Sequence, residues 1–481
     1  MSALRLIAWN EWRLIRRSAV ARAALFMLLA LSAIAAFTSI AHRDESDALR
    51  ARFQAQADAE FDGQPARHPH RMVHYGHFVF RPLPALAAFD PGVDAFTGSA
   101  IFLEGHRQNS ANFGDVRQSS LLARFGQLTP AFVLQVLGPL VLVFIGFGTI
   151  ARERESGTLR FLKAQGIAAR TLLAGKALAI GGIAALLLLP ALLSLGWLVL
   201  AEQAPLSGAL LLAACYTAYL AFWVAAVVAA SAIARDARSA LMALLGLWAL
   251  TTILMPRIAP DIALAATPLQ TRLETDIAIH EDLRRIGDSH NPDDRHFAAF
   301  KAATLARYGV TSVEDLPVNY RGLLAMEGER ITAQLFGEYA ADQSSRQRRQ
   351  GALATGFGLL SPAIALRSAS MALAGTDLDG HQRFLDQAEV YRYAIVQGLN
   401  RLQAEAVTYA DDGSRNKDPE AARRVRIDPR HWHDVPDFTY RAAPLAERVQ
   451  AAAPGMALLL FWLIAGVFTL RFAARRIAEA L

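Results

Sequence analysis

Residues 151–166 read Ala-Arg-Glu-Arg-Glu-Ser-Gly-Thr-Leu-Arg-Phe-Leu-Lys-Ala-Gln-Gly, a charged stretch wedged between the apolar runs 129–150 and 177–201. Each flanking run holds about the 20 apolar residues that a helix needs to cross the hydrocarbon core of a bilayer. Reading outward from this stretch, the same pattern recurs at 23–41, 210–233, 240–255 and 452–470, so six spans are expected. The fifth is the shortest and runs into Pro256, Arg257 and Pro260. It is expected either to cross with little tilt or to be followed by a re-entrant segment.

Composition agrees with that division. Of 481 residues, 53% are hydrophobic, and the mean hydropathy is +0.25. Soluble domains hold about 45–50% apolar residues, so the excess is modest and is concentrated in the six runs. The single cysteine, Cys215, excludes an intrachain disulfide, and packing alone must hold any part outside the membrane.

Sidedness follows from the basic residues. With the N-terminus in the cytoplasm, the inside pieces are 1–22, 151–176, 234–239 and 471–481, and all are rich in arginine or lysine. The short outside loop 202–206 has no basic residue, as the positive-inside rule requires. The net charge of +6 is thereby explained by topology, and nucleic acid is not an expected partner. Segments 42–128 and 256–451 fall outside the membrane. The expected fold is an all-α polytopic membrane protein of six transmembrane helices with two extracytoplasmic insertions, the larger mostly helical. Phe384, Ala388, Tyr391, Ile395 and Leu399 mark one helix at 384–402, whereas 411–415 and 417–419 carry turn chemistry.

At the N-terminus, Arg5, Arg13, Arg16 and Arg17 precede the first run, and Ser39 and Ala41 imitate a small-x-small cleavage site. The run is longer than the 7–15 or so residues of a signal h-region, so it is expected to stay as an anchor. Residues 3–17 combine Trp9 and Trp12 with arginines. They form either an amphipathic helix on the cytoplasmic surface or an extension of the first span.

Two function classes lose ground on residue content. No G-x-x-x-x-G-K-[ST] loop occurs, since Gly175-Lys176 is followed by Ala177, so the chain does not bind ATP in that manner. The middles of the six runs carry no Asp, Glu, Lys, Arg or His, which argues against an ion-coupled carrier. In the 151–176 loop, Ser156 is placed to cap a short helix, Leu159, Phe161 and Leu162 give it an apolar face, and Gly166 suits its end. Such a rigid charged element is what a membrane subunit needs to dock on a soluble motor. The other reading is a solvated loop whose arginines only set topology.

All twelve histidines fall in the two outside segments. The candidate metal ligands His68, His70, His74 and His77 share one stretch with Met72, and His431 and His433 form a second pair. Imidazole suits copper and zinc. No cysteine accompanies them, Pro69 interrupts their spacing, and the sequence alone assigns no metal site.

Glu153-x-Glu155-Ser156-Gly157-Thr158-Leu159, followed by Gly175-Lys176, resembles the coupling-helix signature of ABC-2 type transporter permeases, in position as well as in residues. Two further sets resemble the DUF3526-like subgroup with enlarged external segments. One comprises Gly76-His-Phe-Val-Phe80, Asp90-Pro-Gly92 and Leu103-Glu-Gly-His106. The other comprises Ser361-Pro362, Leu366-Arg367, Ser370-Met-Ala-Leu-Ala-Gly-Thr-Asp377, Phe384 and Ala388-Glu389.

The resemblance implies a non-catalytic permease subunit in a bacterial inner membrane, with both termini cytoplasmic. It would pair with a second permease chain, the same or different, and engage a separate ABC ATPase that binds ATP and Mg; this chain itself would hold no cofactor. Arg152, Glu153, Glu155, Ser156, Gly157, Thr158, Leu159, Phe161 and Leu162 would form the ATPase-coupling interface. Substrate translocation is the expected output. The alternatives are an ATP-driven platform that transmits force to a periplasmic partner, as in metalloenzyme maturation, and a motor-free receptor or scaffold.

Overall fold

The computed structural model describes residues 2–106, 109, 128–287 and 294–479. The remainder of the expected segment 42–128, and positions 480–481 of the expected tail, lie outside these residues. Among the described residues, six helices are long and apolar enough to cross a membrane.

Helix α1 (Ala3–Arg17) is separate from the first of them. The chain turns at Ser18, whose backbone is extended and whose hydroxyl accepts from the Ala21 amide at 3.2 Å. That serine starts α2 (Ala19–Asp62). Of the two readings of the N-terminus, the structure has the distinct amphipathic helix: Leu6, Trp9 and Leu14 are exposed, whereas Glu11 and Ile15 are buried. Helix α2 is 44 residues long, so the apolar run 23–41 is only part of it, and the helix continues into the first insertion.

There follow α3 (Pro69–Tyr75) and an antiparallel pair, β1 (His77–Phe80) and β2 (Ala100–Leu103), with His77 opposite Leu103 and Phe80 opposite Ala100. The second span is α4 (Pro130–Glu155), interrupted by a π-helical turn at Val133–Leu137. After it come α5 (Thr158–Ala164), then the spans α6 (Ala169–Leu200), α7 (Leu206–Ile233) and α8 (Ala237–Ala266).

The fifth span does not stop at Met255. Helix α8 carries a π-helical turn over Ala249–Leu254 and runs on past Pro256 and Pro260 to Ala266. The wide turn ends next to Pro256, so the missing proline N–H falls where the i→i−4 ladder is already loosened.

The second insertion consists of α9 (Arg272–Ile286), α10 (Arg295–Tyr308), α11 (Tyr320–Gly356), α12 (Pro362–Ala374), α13 (Leu378–Ala406) and three short helices, α14 (Tyr409–Ser414), α15 (Pro419–Arg424) and α16 (Arg430–His433). The last span is α17 (Leu445–Glu479). Helices α11 and α13 lie together, joined where the Asn319 amide donates to the Ala404 carbonyl at 2.7 Å. The face of α13 predicted by periodicity is the inner one, with Phe384, Ala388 and Leu399 buried.

The expected loop at 411–415 is largely the short helix α14, started by Thr408, whose hydroxyl accepts from the Asp411 amide at 3.2 Å. What pulls it into a helix is Asp412, fully buried and accepting from Asn319 and Gln403 at 2.9 Å each, with His68 at 3.2 Å. The two insertions interlock here: Trp432 Nε1 donates to the Gln64 carbonyl at 2.9 Å, and the Ile427 amide to that of Arg67 at 3.1 Å.

Helix α7 is the centre of the membrane bundle. Of its most apolar window 67% is buried, against 22% for α8 and for α17. Tyr219, Leu220, Trp223 and Val227 on α7 are wholly enclosed. Helix α12, from the segment expected outside, joins this same core through Ala365, Leu366, Ala369 and Leu373. A Cβ at Gly455 of α17 would meet the Ala365 carbonyl oxygen at 2.7 Å and the Ala369 nitrogen at 2.8 Å, so glycine lets these two backbones touch. Trp462 Nε1 fixes the approach by donating to the Gly358 carbonyl at 2.7 Å.

Candidate functional site

The stretch that joins α4 to α6 is a compact corner. Helix α4 ends at Glu155, Ser156 follows as its cap, and Gly157 reverses the chain with φ 76°. Only glycine takes that conformation without strain. It also stands at the cap position of α5, where Ser156 was expected. The Ser156 hydroxyl instead bonds the Thr158 hydroxyl at 2.8 Å and the Glu153 carbonyl at 3.3 Å. At the far end, the Gly166 amide donates to Lys163 O at 2.8 Å and the Ile167 amide to Leu162 O at 3.2 Å, with Gly166 at φ 78°. That is a Schellman stop, which satisfies two end carbonyls.

The corner is tied to five helices. Lys176, near the start of α6 and 2% exposed, donates to Glu11 of α1 at 2.6 Å and to Glu153. Glu11 accepts in addition from the Thr149 hydroxyl. The Ile150 and Ala151 amides donate to Ser231 Oγ at 3.0 and 3.1 Å, which pins the end of α4 to α7. Arg154 donates to the carbonyls of Ala232 and Ala234 at the C-terminus of α7, where a cation suits both the free carbonyls and the helix dipole. Glu155 accepts from the Ala237 amide at 2.7 Å, at the N-terminus of α8. Lys163 reaches the Ile477 carbonyl of α17 at 2.5 Å.

The residues singled out from sequence therefore divide. Glu153 and Leu159 face inward, Leu159 at 5% exposure, and Leu162 packs partly against the main core. Arg152 lies over the Phe147 ring at 4.9 Å, yet it is exposed, as are Glu155, Ser156, Thr158 and Phe161. Phe161, at 72% exposure, is the most prominent apolar side chain of α5, with Arg160 exposed beside it. Glu11, Lys176 and Ser231 belong to the same arrangement and were not among the sequence candidates. The signal was present: a lone acid in an amphipathic helix and a lone lysine opening an apolar run each need a partner when buried.

A second polar cluster occupies the opposite end of α4 and α7. Tyr216 of α7 receives Gln135 Nε2 at 2.8 Å and bonds Ser370 of α12 at 3.0 Å, and Ser370 donates to Asp90. Thr376 Oγ1 donates to the Asp90 carbonyl at 2.9 Å, and Arg81 spans Asp94 at 2.8 Å and the Gly375 carbonyl at 3.2 Å. The sequence stretches around Asp90 and Ser370–Asp377, far apart in the chain, thus meet on the membrane bundle.

The candidate histidines also divide. His68 is buried against Asp412 and Arg415, and His77 sits 3.1 Å from Asp58. Burial alone would raise the Asp412 carboxyl; bonds from His68, Gln403 and Asn319 outweigh it and hold it below its ordinary range. His70 and His74 come together instead, and His106, not among the candidates, joins them. Burial first, and then the neighbouring His74 and His106, push the His70 imidazole down to about 4.

Two family models match the chain. One, described as ABC-2 family transporter protein, covers residues 5–285, more than half of the sequence. The other, Domain of unknown function (DUF3526), covers residues 272–441, most of the second insertion. No curated protein matches the chain.

Proposed function

The chain belongs to the ABC-2 transporter family, and we propose that it is the permease subunit in which 151–176 receives the stroke of a separate ABC ATPase and passes it to the spans. The observation that carries this reading is the Lys176–Glu11–Glu153 network. It binds the corner to α1 and α6 while α5 holds Phe161 and Arg160 out to solvent. A force applied to α5 is delivered to five helices at once, α1, α6, α7, α8 and α17, because each shares hydrogen bonds with the corner. The Arg–Lys asymmetry of the loops supports a cytoplasmic location for this corner and for both termini, in a bacterial inner membrane. ATP and Mg belong to the partner ATPase, and this chain has a mechanical role without covalent chemistry. The sparse burial of α8 leaves an apolar face for lipid and for pairing with a second permease chain.

Co-purification tests this. Changing Phe161 and Arg160 to Asp is expected to release the ATPase from a chain that still inserts. Retention of both association and stimulated ATP hydrolysis would overturn the docking role.

The polar cluster at the other end favours a second reading of the output. Asp90, Ser370, Tyr216 and Gln135 connect both insertions to α4 and α7, the helices that the corner grips. Motion at the corner then reaches the insertions directly, as transmission of force to a periplasmic partner requires. Substrate uptake into sealed vesicles, set against cross-linking to outside proteins, separates this reading from translocation.

A further inference from the structure

His70 and His74 stand one turn apart on α3, so both imidazoles leave the same face. Their Nε2 atoms are 3.2 Å apart. Two nitrogens bound tetrahedrally to one zinc, each about 2.05 Å from it, would be about 3.3 Å apart. The His106 ring centroid lies 5.4 Å from that of His74 and 6.0 Å from that of His70, and one ring nitrogen from each of the three lies within 4.8 Å of the others.

His106 comes from the turn after β2, and that turn is held in place. The Gly105 amide donates to the Val73 carbonyl of α3 at 3.2 Å, and Arg392 donates to the Glu104 carbonyl at 3.2 Å. At His106 the backbone adopts φ 64°, a conformation uncommon outside glycine. The fully buried Glu329 fixes it there: Oε2 accepts from the His106 amide at 3.1 Å and faces Nδ1 at 3.4 Å, while Oε1 pairs with Arg392 at 2.6 Å. A carboxylate on one ring nitrogen selects the tautomer that leaves the other free, and histidines that ligate metals are oriented in this way.

We propose that His70, His74 and His106 bind one divalent transition-metal ion of the zinc–copper class, with Glu329 as the positioning residue for His106. The three ligands are imidazoles, which suit zinc and copper, whereas calcium and magnesium take oxygen ligands. His74 is exposed, so an ion enters from solvent. Closing the widest gap takes roughly 1.5 Å of side-chain movement. The bound ion would clip α3 to the turn after β2. The inference stands apart from the permease reading.

The test uses the full chain in detergent, purified through a tag free of histidine, stripped with chelator, and titrated with Co²⁺ and then Zn²⁺. Expected are a visible Co²⁺ absorption band saturating at one ion per chain, its displacement by Zn²⁺, and a rise in unfolding temperature with Zn²⁺. His74→Gln and His106→Gln each weaken Zn²⁺ binding at least tenfold, and Glu329→Gln weakens it less. His431→Gln with His433→Gln leaves it unchanged. Should His106→Gln fail to fold, His74→Gln, at an exposed position, carries the test alone. Wild-type binding no tighter than that of His74→Gln would overturn the site and leave a plain His70–His74 hydrogen bond. So would stoichiometric binding that survives replacement of all three histidines.

Discussion

Lys176 Nζ lies 2.6 Å from Glu11 Oε2, so a single buried ammonium fastens the N-terminal helix to the foot of the third span. Glu153 shares the same ammonium, and three elements distant in sequence meet on one charge. Removing one member of a buried charge group leaves the others unpaired, at a cost of about 3–5 kcal/mol. Lys176→Met is expected to lower the unfolding temperature sharply, and the added change Glu11→Gln to restore part of the loss. Equal melting of Lys176→Met and wild type would show the network to be unimportant.

Phe161 and Leu159 belong to one short helix and predict opposite outcomes. Leu159 is buried, and Leu159→Ala is expected to destabilise the chain by about 2–5 kcal/mol. Phe161→Ala removes an exposed ring, and it is expected to leave thermal stability within about 0.5 kcal/mol while weakening ATPase co-purification. Glu155 makes a poor docking probe, because replacing it removes an acceptor from the start of α8 as well.

Gly157 gives a finer test. A Cβ there would meet nothing within 4 Å, so the cost of a side chain is purely conformational. Gly157→Ala is expected to cost about 1–2 kcal/mol, and Gly157→Asn less, since asparagine visits the left-handed region more readily. ATP hydrolysis stimulated by the permease should follow the same order: glycine, asparagine, alanine.

Ser370 stands between Tyr216 and Asp90, and Ser370→Ala removes the donor to a buried carboxylate. A loss of about 1.5–3 kcal/mol is expected, the range for hydrogen bonds to charged groups. ATPase association should persist while transport or partner cross-linking falls. Loss of association together with output would contradict the separation of the two ends.

His381 predicts the response to acid. Burial, and then the Arg81 guanidinium, push its imidazole from 6.5 down to about 4. The folded chain therefore binds this proton less readily than the unfolded chain does. The stability it contributes is complete above about pH 6.5 and is lost as pH falls toward about 4. His70, also near 4, acts in the same direction. The unfolding temperature should fall across that window, and less steeply in His381→Gln. Identical slopes would show that His381 has no part in it.

The spans were legible because a bilayer imposes length and apolarity, a constraint that single residues carry. The α13 face was legible for a similar reason, since Phe384, Ala388 and Leu399 repeat at helical spacing. What escaped were contacts made over long separations in the chain. Asp412 draws 411–414 into a helix through Asn319, Gln403 and His68, and no local pattern announces that. His106 escaped likewise, because it reaches His70 and His74 only through a turn that Glu329 and Arg392 hold. At the corner, the stop at Gly166 was in view, whereas Gly157 took the cap position expected of Ser156 and the partners Glu11 and Ser231 came from other helices.

Helix α2 crosses and then continues without interruption to Asp62, where Phe61 packs beside Val73 and Trp432. About 20 of its residues lie beyond the apolar run, a stiff arm of roughly 30 Å at 1.5 Å per residue. A tilt of about 5° at the bilayer would swing the tip by roughly 3 Å, as much as a hydrogen bond is long. A first span that rocked in the lipid would therefore act as a lever, its movement magnified at the tip of α2.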